Sequence, residues 1–147
     1  MLKKTVVIFM FLFPLFIFGC KTITTATQEK RDKIPAAVYG CVEGNCVNGT
    51  GTYTWENGSK YKGQFKNGAM HGQGTFFFGK GSSSTGGQYA GEFKNGFIDG
   101  IGTWTWPNGD KYTGESRFNK MHGKGIYYYS DGTQKEGTWF NDKYVDE

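Results

Sequence analysis

Residues 61–74 read YKGQFKNGAMHGQG, and the fold follows from how that stretch is taken. Alone it describes one β-hairpin: an aromatic-x-Gly-x-aromatic strand, a turn at Asn67-Gly68, and a second strand opening on His71-Gly72-x-Gly74. The same pattern returns as YAGEFKNGFIDGIG from Tyr89 and as YTGESRFNKMHGKG from Tyr112. Self-similarity at a fixed period decides the architecture before any local assignment, because each unit buries its apolar side only by stacking on its neighbours.

The glycines make the period explicit. Those that follow the leading aromatic fall at Gly63, Gly91, Gly114 and Gly137, in steps of 28, 23 and 23 residues. The longer step is one 23-residue unit plus five residues. GKGSSSTGG at 79–87 supplies them and reads as a flexible loop. Stepping back 23 from Gly63 reaches Gly40, preceded by Tyr39, and puts Asn48-Gly49-x-Gly51 where His71-Gly72-x-Gly74 lies. Four units are expected near 39–60, 61–88, 89–111 and 112–134, with a partial unit over 135–147.

Within each unit the alternation is that of half-buried antiparallel strands. Tyr61, Gly63 and Phe65 share one face, while Lys60, Lys62, Gln64 and Lys66 share the other. In the second strands Gly74, Phe76 and Phe78 repeat as Gly102, Trp104 and Trp106, then as Gly125, Tyr127 and Tyr129; Gly51, Tyr53 and Trp55 complete the set. Thr52, Thr54, Thr75, Thr103 and Thr105 take the opposite face. Asn57-Gly58, Asn108-Gly109 and Asp131-Gly132 join units, and Asn67-Gly68 and Asn95-Gly96 lie inside them. Such dipeptides suit tight hairpins in which both turn residues take positive φ. Glycine weakens a strand interior, so each strand glycine is expected to leave a gap in which a neighbouring ring lies over the backbone.

The spaced motif Y-x-G-x-x-x-x-G-x-x-H-G-x-G resembles the MORN (membrane occupation and recognition nexus) repeat. The resemblance is carried by Tyr61, Gly63, Gly68, His71, Gly72 and Gly74, by Tyr89, Gly91, Gly96, Gly100 and Gly102, by Tyr112, Gly114, His122, Gly123 and Gly125, and by Gly137. It spans essentially 38–147, with Asn48 and Asp99 in place of the motif histidine, Asn119 in place of the middle glycine, and Lys135 in place of the leading tyrosine. The expected fold is all-β: a single elongated, twisted antiparallel sheet of consecutive β-hairpins. The resemblance further implies a scaffold or membrane-associated adaptor.

Ahead of the repeats lies an address. Lys3 and Lys4 precede an apolar run from Val6 to Phe18 that is broken only by Pro14. Thirteen residues suit a signal-peptide core, which needs roughly 7–15, and fall short of the roughly 20 of a spanning helix. Ile17-Phe18-Gly19-Cys20 resembles the lipobox of bacterial lipoproteins, with Phe18 where a small residue is usual. That resemblance implies cleavage between Gly19 and Cys20, lipidation of Cys20 and retention at the bacterial envelope, on the outer membrane where there is one. An uncleaved short anchor is the alternative. Segments 1–19 and 20–37 are thus expected to be a signal peptide and a lipid-bearing flexible tether, whose polar run KTITTATQEKRDKIPAA could extend over roughly 50 Å.

The net charge of +4 resides in the first 37 residues; from Val38 onward eleven Lys or Arg meet eleven Asp or Glu. Nucleic-acid binders concentrate basic residues in the folded part, so nucleic acid is excluded as a partner. The same balance argues against head-group electrostatics as the main role, although phospholipid remains among the ligands to consider.

No catalytic or metal constellation emerges. His71 and His122 occupy one motif position that Asn48 and Asp99 also fill, which makes them turn-flanking residues that hydrogen-bond neighbouring backbone. Convergent ligands for a metal are missing, Ser82, Ser83 and Ser84 have no histidine partner in sequence reach, and GKGSSSTGG lacks the spacing of a phosphate-binding loop. No enzyme and no cofactor are expected. Cys41 and Cys46, five apart, fit a disulfide stapling the first turn of an exported array; two free thiols or metal binding are the alternatives.

The expected function is a lipid-anchored, non-enzymatic interaction module. Its aromatic face, with Trp55, Phe76, Phe78, Trp104, Trp106, Tyr127 and Tyr129, would meet a protein partner or a second copy. Two alternatives stay open: envelope glycan or lipid head-group binding, in which tryptophans including Trp139 stack on sugars or cage a quaternary ammonium, and a partner-neutralising role similar to that of MORN-like antitoxins.

Overall fold

The computed structural model describes residues 39–145. The signal segment 1–19, the Gly19-Cys20 junction and the tether 20–37 lie outside them. The described residues form ten strands and no helix: β1 (Gly40–Gly44), β2 (Gly49–Thr54), β3 (Lys60–Lys66), β4 (Ala69–Phe77), β5 (Gln88–Lys94), β6 (Phe97–Thr105), β7 (Lys111–Arg117), β8 (Lys120–Tyr128), β9 (Gln134–Phe140) and β10 (Lys143–Val145). They pair antiparallel in chain order in one open sheet. All-β hairpins in sequence order are what the 23-residue period predicts.

Register aligns the repeat. Gly44, Gly51, Gly63, Gly74, Gly91, Gly102, Gly114, Gly125 and Gly137 pair in succession, so a row of glycines crosses the sheet from β1 to β9. Beside it runs a row of aromatics: Tyr53, Tyr61, Phe76, Tyr89, Trp104, Tyr112 and Tyr127. The rings lie over the glycines. A Cβ on Gly74 would meet the Tyr61 ring, one on Gly102 the Tyr89 ring, and one on Gly125 the Tyr112 ring. Tyr61, Tyr89 and Tyr112 are consequently sealed from solvent, with Phe65, Phe93, Ile98, Met121 and Trp139 packed around them on the same face. Lys60, Lys62, Gln64 and Lys66 are exposed on the other face, as alternation requires.

Both ends of the row are finished differently. At the first end the register pairs Gly44 with Gly51 and Gly40 with Thr54. The counterpart of Gly63 is therefore Gly44, and the step back of 23 residues to Gly40 misplaces the motif glycine within the opening strand. The slot over Gly51 holds the Cys46 sulfur in place of a tyrosine ring, and Cys46 is bridged to Cys41 with 5.9 Å between their Cα atoms. At the other end Lys135 stands where the tyrosine would be. Tyr144 of β10 reaches back over Gly137 instead, donates its hydroxyl to the Glu136 carbonyl at 3.0 Å, and carries the Lys135 ammonium 3.8 Å above its ring.

Two kinds of turn connect the strands. Inside units, Asn67-Gly68 and Asn95-Gly96 take positive φ at both residues, and so do Phe118-Asn119 and Asn141-Asp142. Between units only the glycine does: Gly58, Gly109 and Gly132. There the expectation of a two-residue turn fails, because the loop is longer. Trp55, Trp106 and Tyr129 donate across it to Ser59, Asp110 and Thr133 at 2.9 Å, and the side chains of Asn57, Asn108 and Asp131 accept from the backbone N–H two residues on. These are Asx turns, which suit Asn and Asp for a different reason than positive φ.

Candidate functional site

The face that bears the rings is the candidate site. Its floor is made by the second strand of every unit and the residue that follows it: Phe76, Trp104 and Tyr127 lie in β4, β6 and β8, and Trp55, Phe78, Trp106 and Tyr129 directly after β2, β4, β6 and β8. The rings touch in series: Trp55 to Phe76 at 5.4 Å, Phe76 to Phe78 at 4.9 Å, Phe78 to Trp104 at 5.5 Å, Trp104 to Trp106 at 6.1 Å, Trp106 to Tyr127 at 5.4 Å and Tyr127 to Tyr129 at 4.7 Å. All seven expected face residues are thus brought together. They are not equally available. Trp55, Phe76, Phe78, Trp106 and Tyr127 are half-buried and Tyr129 is exposed, whereas Trp104 is only 6% exposed. Its indole N–H donates to the Ser116 hydroxyl at 2.9 Å within the core. Ser116 stands where the other units have Phe65 and Phe93, and the smaller side chain lets the Trp104 ring sink. Trp139 likewise belongs to the packing, at 5% exposure.

The histidines serve the backbone. Between Gly63 and Gln64 the β3–β4 register shifts so that β4 carries two extra residues, Gly72 and Gln73. The shift recurs between β5 and β6 and between β7 and β8. His71 and His122 therefore sit at strand bulges, not beside turns. Their carbonyls accept the Tyr61 and Tyr112 hydroxyls, each at 3.2 Å, and the same hydroxyls reach the Gln64 and Glu115 carbonyls at 2.9 and 2.8 Å. The neighbouring backbone is bonded by the tyrosine hydroxyls and not by the His Nδ1 atoms, which are both buried without a partner. The bulges are tied off by Gln64, Glu92 and Glu115, whose side chains accept from the N–H of Gln73, Ile101 and Lys124. His71 and His122 belong to units separated by a whole repeat. Among the described residues no group of three or more His, Cys, Asp or Glu could hold a metal.

Burial sets the acid–base character of the face. Desolvation pushes the Tyr61, Tyr89 and Tyr112 hydroxyls up to about 12. Tyr127 reaches the same value through burial and through donating to the Asp110 carboxylate at 2.9 Å. Asp110 is held below the usual carboxylate range mainly by the Ser130 N–H, then by Asn108 and Tyr127.

Sequence reading missed the role of residues 79–87. They do not form a free loop. Lys80 donates to the Asn57 carbonyl at 2.9 Å and Asn57 returns a bond from Nδ2 to the Lys80 carbonyl at 3.4 Å. The Gly79 N–H donates to the Ser59 hydroxyl at 3.0 Å, Gly86 donates to the Phe78 carbonyl at 2.8 Å, and Gly86 lies against Pro107. So fastened, Ser82, Ser83 and Ser84 border two concavities on the aromatic face.

With the glycine row, its covering rings and the 23-residue unit in view, the family can be stated. The MORN repeat model matches residues 48–60, 61–83, 89–111 and 112–134. The chain belongs to the MORN repeat family. The matched segments leave out 39–47, where the register puts a disulfide-closed strand in place of a motif half. No curated protein matches the chain. MORN repeats are protein- or membrane-interaction modules, and in this MORN protein the clustered aromatics make the ring-bearing side the surface on which to look for that interaction.

Proposed function

We propose that this MORN protein is a non-enzymatic interaction module, tethered to a bacterial envelope membrane through lipid on Cys20, that uses its aromatic face to hold a protein partner. The observation that carries the reading is the continuous series of ring contacts from Trp55 to Tyr129 along one face of a single sheet, with Trp104 buried in it and the other six rings half-buried or exposed. Rigid aromatic side chains that are already packed on one side lose little conformational freedom on binding, and such residues dominate the energetics of protein interfaces. Equal numbers of opposite charges in 38–147 favour contact by shape and apolar surface over electrostatic capture.

The test places a photo-crosslinking phenylalanine analogue at Trp55 or Tyr129 in the native cell. A discrete adduct is expected, whose mass separates a foreign partner from a second copy and which Tyr127→Ala abolishes. Uniform absence of adducts overturns the partner reading. Mass spectrometry of the mature N-terminus tests the anchor: an intact Met1 or an unmodified Cys20 removes it.

A further inference from the structure

The aromatic face is divided by residues 79–87, and what that segment builds points to a ligand class. On one side of it a concavity of about 350 Å³ has Phe76, Phe78 and Ile98 beneath and Ser59, Ser82 and Asn119 around. On the other a concavity of about 260 Å³ has Trp104, Trp106 and Met121 beneath and Ser83, Ser84, Asn119 and Asp142 around. Asn119 borders both, and the two lie on either side of the same segment. Its chemistry is selective. Neither half is lined by any Lys, Arg or His, and Asp142 is the one carboxylate, in a chain that is 20% charged.

That composition rules out several occupants on physical grounds. An anion finds no counter-charge and would face Asp142. A quaternary ammonium needs rings that enclose it, but the Trp104 and Trp106 rings are stacked within 13° of parallel, their centroids 6.1 Å apart. An extended peptide would look for backbone partners, and the backbone beneath the groove is already paired in the sheet. A neutral sugar chain satisfies what remains: flat apolar ring faces against aromatic side chains, and hydroxyls facing uncharged hydroxyl and amide groups that donate and accept. Asn119 and Asp142 each commit one oxygen to the N–H of Ile98 and Met121, at 2.8 Å, which fixes the side chains and leaves the Asn119 amide N–H₂ and the second Asp142 oxygen for a ligand.

We propose that the groove between residues 79–87 and the turns at Asn119 and Asp142 binds a neutral oligosaccharide, with Trp106 as stacking platform and Ser83, Ser84 and Asn119 as hydroxyl partners. The inference rests on the aromatic face being the working surface. The full-length protein in detergent is titrated with chitotetraose, cellotetraose and maltotetraose, following tryptophan fluorescence. At least one probe is expected to give a saturable change in the range of about 0.1–1 mM, and the anionic tetragalacturonate is expected to bind about tenfold more weakly than that probe. Asn119→Gly keeps a residue that the equivalent turns at Gly68 and Gly96 already use, so it folds; it and Ser83→Ala/Ser84→Ala are each expected to weaken binding about five- to tenfold. Absence of a saturable change with all three neutral probes overturns the proposal, as does binding that neither variant weakens or that tetragalacturonate matches. Because the crosslinking positions Trp55 and Tyr129 lie outside the groove, adducts that persist while sugars fail to bind overturn the sugar site alone. Sugar binding without adducts overturns the protein-partner reading alone.

Discussion

The Tyr61 hydroxyl donates to the carbonyl of His71, ten residues on, at 3.2 Å, and Tyr112 does the same for His122. A ring that fills the space above paired glycines thus also bonds a carbonyl at the edge of the bulge. Replacing Tyr61 by Phe keeps the ring and leaves that carbonyl and the Gln64 carbonyl short of a donor. The expected loss is about 1 kcal/mol, read as a lower denaturant midpoint with unchanged slope.

Those hydroxyls also predict an alkaline limit. Tyr61, Tyr89, Tyr112 and Tyr127 ionise near 12 in the folded protein against 10 for the free side chain, so above 10 the unfolded chain gives up protons that the folded chain keeps. Stability from this source is whole below pH 10 and falls as pH rises from there through about 12. Thermal melts across that window should shift downward, and tyrosinate absorbance should rise together with unfolding. A melting temperature that stays level up to pH 12 would contradict the burial of these rings.

Glycines divide into two classes that a mutation pair separates. A methyl at Gly102 would run into the Tyr89 ring and the Ala90 carbonyl, and Gly102→Ala is expected to cost about 1–3 kcal/mol through overpacking. Gly58 has open space around it but a φ of +82°, so Gly58→Ala should cost only the left-handed penalty of about 1–2 kcal/mol. Displacement of the Tyr89 ring, seen by tyrosine NMR shifts, should accompany the first and not the second.

Phe118 is the anomaly among the turns. It takes a φ of +48° at a position filled by Asn67 and Asn95 in other units, and it is 60% exposed. Asn tolerates that conformation better than an aromatic residue. Phe118→Asn is therefore expected to stabilise by about 0.5–1 kcal/mol, measured as a higher melting temperature.

The disulfide offers a local test. Cys41→Ser opens a loop of few residues, for which the chain-entropy argument gives about 2 kcal/mol. Because contacts in a repeat array run between neighbours, hydrogen-exchange protection should fall in β1 and β2 and persist from β5 to β8. Loss spread evenly over the sheet would refute neighbour-only coupling.

How much of this was legible depended on whether the deciding partner lay within the motif. Strand faces, glycine gaps and turn positions follow from alternation at Tyr61, Gly63 and Phe65, because the relevant neighbours are two residues or one period away. The motif glycine of the opening strand is Gly44 and not Gly40, because Tyr39-Gly40 imitates the motif, whereas the slot over Gly51 is filled by a sulfur. Trp104 sits on the expected side, but its depth is set by Ser116, where the period calls for an aromatic; that departure was the available signal. Residues 79–87 looked flexible from composition because their fasteners, Asn57, Ser59 and Pro107, lie some twenty residues away and belong to other units.

The Cys41–Cys46 bridge has a mechanical meaning as well. Tension applied to the chain ahead of Tyr39 meets the sheet at its edge, where hydrogen bonds between β1 and β2 would open one pair at a time, starting with Gly40 and Thr54. Opening stops at Cys41. There the covalent link passes the load to Cys46, and the pairs Glu43–Thr52 and Gly44–Gly51 are bypassed and stay unloaded. A pull that would unzip a free hairpin is handed across it, and the first glycine pair of the row is shielded from the strain that such tension would bring.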